Sequence, residues 1–494
     1  MAYKYIGVPK SISFHECEKN GFVFAPSKYS RFLPDDNTLY KPLSSVCKES
    51  KKKIRPERKK QYTYSEIGDI NVNCGSIESN TFFGFNLPSD SPKKCKKGDI
   101  LISTVRTYRG GIGIITDEYE NHCCSPAILI IRDIIDKRIT KEYLYAILRT
   151  EFFVEQILGF QNRGMYPRLD SNAMDKVIIP VPSDNQVIEY ISMLAKAYIK
   201  KYSQIKRKHK EIIRKIEEEL RNNQNDGSFI YNLPNFNEIQ NFGRLDTGLY
   251  NEDFSFWNWM VKNYVYGSKN LIERGFTYSR GTSLENKFLK SRIDSEVYIK
   301  GFYELVLPTN IHQYGYVEKS TYIGTPTKLK TIEKGDIIFG GEGFGKGRTF
   351  VVVDESHNVA TNYHGIRIIN KNKNLVESIF VRCFLAFWRE KGMIDYIGVG
   401  GSGGHCAPSY FHMIETPLFP DSVQKEIASL YYNSQDYDKL NFNLTNFIEK
   451  DDIFTKCAGI YELDKAANKI KILLDKAIDD VVNNRSVSIT FDFK

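Results

Sequence analysis

A glycine-rich stretch, EKGDIIFGGEGFGKGR at 333–348, contains residues of the types that bind phosphate. Its closing Lys346 and Arg348 could hold a phosphate if the glycines wrapped around one. Such a loop must lead into a helix whose N-terminus faces the phosphate, and a dinucleotide-binding turn has the same requirement. Here the valine-rich segment TFVVV follows, so the glycines are predicted to connect two strands of a hairpin.

Cysteine and histidine spacing does not favour a metal site. The nine cysteines are scattered, and no two have a Cys-x-x-Cys spacing. The adjacent side chains of His122–Cys124 and of His405–Cys406 cannot easily converge on one tetrahedral ion. We therefore expect reduced thiols, with neither a metal nor a disulfide framework.

A loose nuclease pattern is also present. Pro34 and Asp35, followed by Glu49, Ser50 and Lys51, fit the Pro-Asp…Glu-x-Lys spacing of nucleases in which carboxylates bind magnesium and lysine orients water. The surrounding KESKKKIRPERKK lacks the apolar alternation of the strand that should carry the Glu and the Lys. A metal-dependent endonuclease stays an alternative hypothesis.

The chain contains an internal repeat. KKGDILISTVRTYRGGIGIITDEY at 96–119 aligns with EKGDIIFGGEGFGKGRTFVVVDES at 333–356, and VIIPVPSDNQVIEYISML at 177–194 aligns with IETPLFPDSVQKEIASL at 414–430. Gly98 to Gly335 and Pro180 to Pro417 are both separated by 237 positions. Two anchors with one offset indicate two diverged copies of a mixed α/β domain, each with strands, a helical stretch (141–158 or 376–397), a glycine-containing loop and a Pro-rich strand.

The equivalent hairpin tips differ in their side chains. The first copy has Arg106, Tyr108 and Arg109 where the second has Glu342, Lys346 and Arg348. Arg can bond guanine edges and Lys can hold phosphate, so one scaffold made twice could read two short nucleic-acid sequences. Divergence of loops simply because they are loops is the open alternative.

Two stretches carry a heptad pattern. Residues 185–222 contain no Gly or Pro, and apolar residues recur there in steps of four and three, as they do near the C-terminus. This pattern predicts two long helices that pack as an antiparallel coiled coil, the first about 57 Å long. The seam positions are Ile191, Tyr198, Ile205 and Ile212 in the first helix, and Leu463, Ile470, Leu474 and Val481 in the second. His209 is expected to be a tolerated seam position, and KRKHK at 206–210 a solvated face, with a phosphate or partner contact as the alternative.

Composition limits the class of protein. A chain of 494 residues is expected to form two domains, and its excess of Lys and Arg over Asp and Glu, 69 to 60, suits a polyanionic partner. Neither a signal peptide nor an apolar run of membrane-spanning length is evident, so we expect a cytoplasmic protein without a membrane partner.

With its duplicated domain, its GDILIS hairpin, the IPVP…NQ run into a long helix and a second closing helix, the chain resembles the specificity subunit of type I restriction-modification systems from about residue 30 to 485. The resemblance implies a first target recognition domain at 1–184, a spacer helix at 185–225, a second recognition domain at 226–422 and a second helical region at 423–494. GRLDTGLY at 243–250 looks like the entry into the second recognition domain.

The resemblance also implies function. Such a subunit is not catalytic: it reads a split site on double-stranded DNA, one half per domain, while the two helices set the gap. It docks two adenine-specific methyltransferase subunits and the restriction subunits, which would supply S-adenosylmethionine, ATP and magnesium chemistry, so no cofactor is expected in this chain. The implied DNA-contacting residues are Arg106, Tyr108, Arg109, Arg163, Tyr166 and Arg168 in the first domain, and Lys346, Arg348, Ser402, His405 and Tyr410 in the second.

Two features depart from that family. A polar, aromatic-rich segment interrupts the second helical region between Tyr432 and Glu462, and an insertion-like basic run occupies 47–61, which we expect to be a flexible loop or a phosphate contact. The Asp/Asn-Pro-Pro-Tyr/Phe segment of adenine methyltransferases has no counterpart, because the chain has no Pro-Pro pair. A stand-alone DNA- or RNA-binding regulator is the second alternative hypothesis.

Overall fold

The computed structural model describes residues 5–7, 9–19, 21–24, 29, 31–32, 39–160, 173–354, 358–400 and 404–493. The chain divides into two compact units. The first comprises 1–203, 436–456 and 465–494, and the second comprises 204–435 and 457–464. The domain boundaries expected after residues 184, 225 and 422 stay predictions.

The first unit mixes short strands with helices. Its strands are β1 (Ile6–Gly7), β2 (Arg31–Phe32), β3 (Tyr40–Pro42), β4 (Cys47–Glu49), β5 (Gln61–Ser65), β6 (Asn80–Phe83), β7 (Lys93–Lys94), β8 (Ile100–Ser103), β9 (Ile112–Ile114), β10 (Cys123–Cys124), β11 (Ile128–Ile134) and β12 (Ile178–Pro180). Its helices are α1 (Phe14–Lys19), α2 (Leu43–Val46), α3 (Lys141–Leu148), α4 (Glu151–Phe160) and α5 (Ala173–Lys176), followed by α6 (Asn185–Asn222), which continues into the second unit.

The second unit has the same character. Its helices are α7 (Phe236–Phe242), α8 (Glu252–Lys262), α9 (Asn286–Leu289), α10 (Leu375–Glu390), α11 (Met393–Ile397) and α12 (Asp421–Tyr431). Its strands are β13 (Ser268–Asn270), β14 (Phe276–Arg280), β15 (Ile293–Ser295), β16 (Tyr303–Leu305), β17 (Thr321–Gly324), β18 (Ile337–Gly340), β19 (Thr349–Val351), β20 (Val359–Ala360), β21 (Gly365–Asn370) and β22 (Glu415–Pro417). Two helices close the chain, α13 (Phe447–Cys457) and α14 (Ile460–Val482).

The strand pairings confirm the duplication. One sheet has the order β4-β11-β8-β9 in the first unit and β14-β21-β18-β19 in the second, and β12 pairs with β3 as β22 pairs with β13. In the other sheet, the parallel pair β5 and β10 has its counterpart in β16 and β20. The first residues of β8, β9, β11 and β12 all lie 237 positions before those of β18, β19, β21 and β22.

The core of each unit lies against these sheets. All four residues of β8 and of β18 are buried, because each of these strands lies between two others in its sheet and is covered on both faces. Around β8, the core of the first unit includes Leu101, Ile115, Ile128 and Ile130. The hairpins that leave these sheets therefore start from fixed strands.

The heptad prediction is confirmed. Helix α6 spans Asn185–Asn222, the stretch in which the heptads were found, and all eight predicted seam residues are buried: Ile191, Tyr198, Ile205, Ile212, Leu463, Ile470, Leu474 and Val481. In the first unit, burial is the main cause that raises the pKa of Tyr198, and the charge of Asp475 raises it further. In the second unit, burial lowers the pKa of Lys208, and the charge of Glu462 opposes that effect. Tyr198 precedes Lys208 along α6, whereas Asp475, which acts on Tyr198, follows Glu462 along α14. The two helices are therefore antiparallel.

Two helix predictions need correction. The stretch 141–158 forms two helices that part at Arg149 and Thr150, and 376–397 is likewise divided, at Lys391 and Gly392. Gly392 has φ of 75°, a left-handed conformation that a helix cannot continue through and that suits glycine. Apolar periodicity continues across both breaks, which is why it did not reveal them.

The structure revises two expectations for basic segments. KRKHK is not a solvated face, because Lys206, Lys208 and His209 are buried in the second unit, and burial lowers the pKa of Lys208. The run 47–61 begins with strand β4 (Cys47–Glu49) despite its lack of apolar alternation, and its expected contact with phosphate stays a prediction. Residues of β4 pair with β11, which supplies the apolar partner that the segment itself lacks.

The aromatic-rich interruption between 432 and 462 is a packed element. It contains α13, and Tyr437, Phe447 and Phe454 are buried in the first unit, where Tyr437 also contacts Phe493. The nine cysteines are free thiols, as expected. Among the helices that the structure describes, none has the length and apolarity needed to span a membrane.

Candidate nucleic-acid interface

The first candidate hairpin joins β8 to β9. Its turn is anchored by Thr107, which is buried and whose Oγ1 donates a hydrogen bond to the carbonyl oxygen of Ser103 at 2.6 Å. A short 3-10 turn at Thr107–Arg109 follows from this anchor. It presents Tyr108, which is 36% exposed, and Arg109 to solvent, as a base-reading tip requires.

Arg106 precedes that turn in a left-handed conformation. Its φ of 50° is uncommon for a residue with a Cβ and costs on the order of 1 kcal/mol. Backbone strain of this kind persists where the surrounding structure imposes it, and it is frequent at functional sites. The strained Arg106 therefore marks this tip as a candidate site independently of the charge of its side chain.

Four of the predicted contact residues cannot be placed. Arg163, Tyr166, Arg168 and Ser402 lie outside the described residues. Their assignment to DNA contact stays a prediction.

The second candidate hairpin joins β18 to β19 and has the expected glycine geometry. Gly343 and Gly347 have φ of 63° and 71°, and a Cβ on Gly340 would lie 1.9 Å from the carbonyl oxygen of Gly345. The tight turn leaves Phe344 at the tip with 93% of its surface exposed. A phenyl ring held out by flanking glycines can contact another molecule but not the core of its own unit.

Lys346 and Arg348, in contrast, serve the fold of the second unit. The Nζ of Lys346 lies 2.7 Å from an oxygen of Asp395, and its side chain is mostly buried. Arg348 donates from Nη1 to the carbonyl oxygen of Ile311 at 2.9 Å. Both cations are already engaged within the unit, so their predicted contact with DNA would require these bonds to change.

A polar cluster lies beside the second hairpin. His364 donates a hydrogen bond to Glu342, and this bond is the main cause that lowers the pKa of the Glu342 carboxyl below its ordinary value. His405 Nδ1 lies 3.5 Å from the other oxygen of Glu342, while Arg280 donates to His405 Nε2 at 3.1 Å. The Arg280 guanidinium also lies 4.5 Å from the ring centre of Tyr363.

This cluster offers the chemistry of base reading. A carboxylate such as Glu342 can accept a hydrogen bond from the amino group of cytosine, and an Arg such as Arg280 can donate to guanine. Both side chains are held in place by neighbouring groups, as readout of a single base requires. Of the predicted residues, His405 belongs to this cluster.

Tyr410 has a different position. The guanidinium of Arg244 lies 4.7 Å above its ring, and Arg244 also donates to the carbonyl oxygen of Ile397 at 2.8 Å. Tyr410 thus packs against the segment GRLDTGLY within the second unit. A contact between Tyr410 and DNA stays a prediction.

Sequence reasoning missed several residues of the second site. They are Arg280, Phe344, Tyr363 and His364. Phe344 could have been predicted from the sequence, because a large apolar residue between glycines at a hairpin tip has no core to pack against. The other three residues could not have been predicted, because the turn before β21 and the end of β14 approach the hairpin only through sheet pairing.

The nuclease pattern does not assemble as a metal site in the described structure. Glu49 Oε1 lies 3.4 Å from Lys93 Nζ and its other oxygen lies 3.7 Å from Lys51, so the carboxylate faces two cations. Pro34 and Asp35 lie outside the described residues. Across the described ranges, no three His, Cys, Asp or Glu side chains are grouped as ligands for a metal ion.

Comparisons with known proteins show distant similarity. No protein-family model matches the chain, and no curated protein matches it. Among solved structures, it is similar to the HsdS subunit from Thermoanaerobacter tengcongensis, with 15% identity, a TM-score of 0.31, and coverage of 90% of this chain and 97% of that one.

Two further structures show the same similarity. The type I restriction-modification system S subunit from M. genitalium has 10% identity and a TM-score of 0.42, over 91% of this chain and 98% of that one. A chain from a study of complex assembly and conformational transition of the type I R-M system has 15% identity and a TM-score of 0.32, over 92% of this chain and all of that one. At such values, likeness alone assigns neither fold nor function.

Proposed function

We propose that this chain is the sequence-specific DNA recognition subunit of a type I restriction-modification enzyme. The observation that carries the proposal is a single scaffold formed twice, with the same strand pairings but with different polar side chains at equivalent hairpins. A protein that must read two different short sequences needs this combination, because the scaffold fixes the docking geometry and the loop residues select the bases.

The long helices support the same proposal. Their buried seam residues form an antiparallel pair, which is a stiff element suited to fixing the distance between two half-sites. We infer that one unit reads each half of an interrupted site and that the helix pair sets the number of unread base pairs.

The proposed subunit has no catalytic role of its own. Following the family that the sequence resembles, it would dock two adenine-specific methyltransferase subunits, which use S-adenosylmethionine, and restriction subunits, which use ATP and magnesium. It would act in the cytoplasm in defence against foreign DNA. A metal-dependent endonuclease is disfavoured by Lys93, whose ammonium pairs with the Glu49 carboxylate that would have to bind the metal.

The test is co-expression of the chain with the adenine methyltransferase encoded beside it, followed by sequencing of methylated bases. We expect N6-methyladenine in one interrupted site, with two defined halves and a fixed gap. Methylation of an uninterrupted site, or the same methylation pattern without this chain, would contradict the proposal. A stand-alone regulator would show no methylation that depends on it, and cleavage of DNA by the purified chain, lost in Glu49→Ala, would support the nuclease.

A further inference from the structure

The basic run at 51–60 lies beside a second lysine-rich segment of the first unit. Residues 51–60 contain seven Lys or Arg and one Glu. The backbone amide of Lys94 donates to Lys52 at 2.8 Å and that of Ile54 donates to Pro92 at 2.9 Å, so the run pairs with the chain around β7. This contact brings Lys94, Lys96 and Lys97, all exposed, next to the basic run in the chain around β7.

The pairing places like charges opposite each other. Lys53 and Lys93 form an antiparallel bridge, so two lysines lie opposite each other, which is unfavourable for like charges. Lys93 is compensated by Glu49, and Lys51 and Lys60 lie near Glu49 and Glu57. Within the described part of the chain, no ion pair is formed by Lys52, Lys53, Arg55, Arg58 or Lys59.

Two exposed aromatic rings adjoin this face. Phe83 and Phe85 are 42% and 62% exposed, and their rings are nearly parallel, with centres 5.8 Å apart and an interplanar angle of 11°. The amides of Gly84 and Phe85 donate to the carbonyl oxygens of Lys60 and Arg58 at 2.9 and 3.1 Å. These bonds fix the end of the basic run against the aromatic pair.

Gly84 makes this approach possible. A Cβ at that position would lie 2.1 Å from the carbonyl oxygen of Glu57, so only glycine lets the turn at 57–60 reach the backbone between the two rings. The local backbone therefore fixes the basic run beside the exposed rings, although neither ring is needed to fill the core.

The described residues of the second unit form no equivalent face. Its counterpart segment, 281–302 between β14 and β16, has four basic and three acidic residues. Lys287 pairs with Glu285, and Arg292 pairs with Asp294. The uncompensated charge of 51–60 is thus not a requirement of the shared scaffold.

We infer that residues 51–60 and 94–97, with Phe83 and Phe85, form a face that binds single-stranded DNA without regard to sequence. Its lysines and arginines would contact the phosphates, and unpaired bases would stack on the exposed rings. Basic grooves combined with aromatic platforms are how proteins hold single strands, because every base has a face that can stack. The choice of DNA rather than another polyanion rests on the proposed function.

The test measures binding of a labelled 20-nucleotide thymidylate strand to the full chain over a range of salt concentrations. This probe contains no duplex site, so its binding is independent of the reading of half-sites. In K52Q/K53Q/K59Q, the slope of log K against log salt should become shallower by about 2, since each phosphate contact to a single strand contributes about 0.7. The matched control K137Q/K176Q/K196Q removes three exposed lysines elsewhere in the first unit and should keep the wild-type slope.

The aromatic pair gives the second measurement. F83S/F85S should weaken binding of the thymidylate strand about fivefold to 150-fold for each base that stacks on the two rings, without changing the salt slope, because stacking of each base contributes about 1–3 kcal/mol. F24S removes another exposed ring of the first unit and should have no effect. Thermal melting of each variant checks that it remains folded.

The inference is overturned if the wild-type chain does not bind the strand, if the lysine variant keeps its salt slope, or if F83S/F85S binds like the wild type. Tighter binding of the uridylate RNA analogue would overturn the choice of DNA. Loss of site-specific methylation, with binding of the thymidylate strand retained, would contradict the proposed function and leave this face in place. Loss of binding to the thymidylate strand, with site-specific methylation retained, would contradict only the single-strand face.

Discussion

Lys201 of α6 and Asp451 of α13 form an ion pair in the first unit, and their side chains are only 0% and 3% exposed. The Lys201 ammonium also donates to Thr455 Oγ1 at 2.7 Å, and Tyr437 donates its hydroxyl to Asp451 at 2.7 Å. Burial lowers the pKa of Lys201, and the nearby Asp451 opposes that effect. This network joins the segment that interrupts the second helical region to the long helix.

Removal of Asp451 should destabilise the first unit strongly. Asp451→Ala leaves the Lys201 ammonium buried without its carboxylate, and we expect a loss of about 3–5 kcal/mol in the free energy of unfolding. Chemical denaturation measures this loss. In the double variant K201M/D451L both charges are gone, and stability should return close to that of the wild type. Equal destabilisation of both variants would show that packing of the segment, rather than the ion pair, is responsible.

Stability of the second unit should fall at mildly acidic pH because of His312. Burial lowers the pKa of His312 to about 3, and neighbouring cations, including Arg348, contribute. The unfolded chain takes up a proton near the ordinary pKa of about 6.5, whereas folded His312 stays neutral down to about pH 3. Stability from this group is therefore complete above pH 6.5 and declines as the pH falls, by about 2 kcal/mol at pH 5.

The variant His312→Asn tests this dependence. Asn keeps an acceptor for the amide of Tyr314, which donates to His312 Nδ1 at 3.2 Å, but it cannot titrate. Denaturation at pH 5 and pH 7 should show a smaller pH effect in the variant than in the wild type. An unchanged pH dependence would mean that His312 is protonated when folded or that other groups dominate.

Substitution of Phe344 should affect DNA recognition, whereas substitution of Arg348 should affect stability. Phe344→Ser removes an exposed ring, so the melting temperature should stay close to the wild-type value. Sites that differ from the recognised sequence in one half should be methylated more often with this variant than with the wild-type chain. Arg348→Ala loses its bond to the carbonyl oxygen of Ile311 and should cost about 1–3 kcal/mol of stability. If Phe344→Ser changes neither stability nor selectivity, the hairpin tip does not contact DNA.

Lengthening the helix pair should change the gap and not the bases. The boundary between the units falls after Ser203 in α6 and after Asp464 in α14, so one heptad inserted at both places preserves the seam. Seven helical residues add about 10 Å, or roughly three base pairs of DNA. Sequencing of methylated sites should show the same two halves with a longer gap. An unchanged gap would contradict the spacer role, and an insertion of seven residues in an exposed loop serves as the control.

The sequence predicted the features that depend on local pattern. The position of α6 was predicted from its heptads in a stretch without Gly or Pro, and the β18–β19 hairpin was predicted from glycines placed between two apolar segments. The repeat was readable because equivalent strands kept one offset. Each of these features is determined by residues that are near one another in the chain or that recur at a constant interval.

Features that depend on distant partners were not predictable. Lys346 looked available for DNA, but Asp395, which is far from it in the chain, pairs with it. The segment around Tyr437 looked like a polar interruption, but its aromatic side chains find a core partner in Phe493 near the C-terminus. His209 was expected to be merely tolerated, yet its Nε2 lies 2.5 Å from Glu390 of another helix. Only the tertiary structure shows what such residues contact.

Exchange of one recognition unit tests the central claim most directly. Residues 30–184 would be replaced by the corresponding segment of a related chain, and methylated sites would be sequenced in cells that also carry the methyltransferase. The account predicts that one half of the site changes while the other half and the gap remain. A change in both halves, or in neither, would contradict the claim that each unit reads its own half of the DNA site.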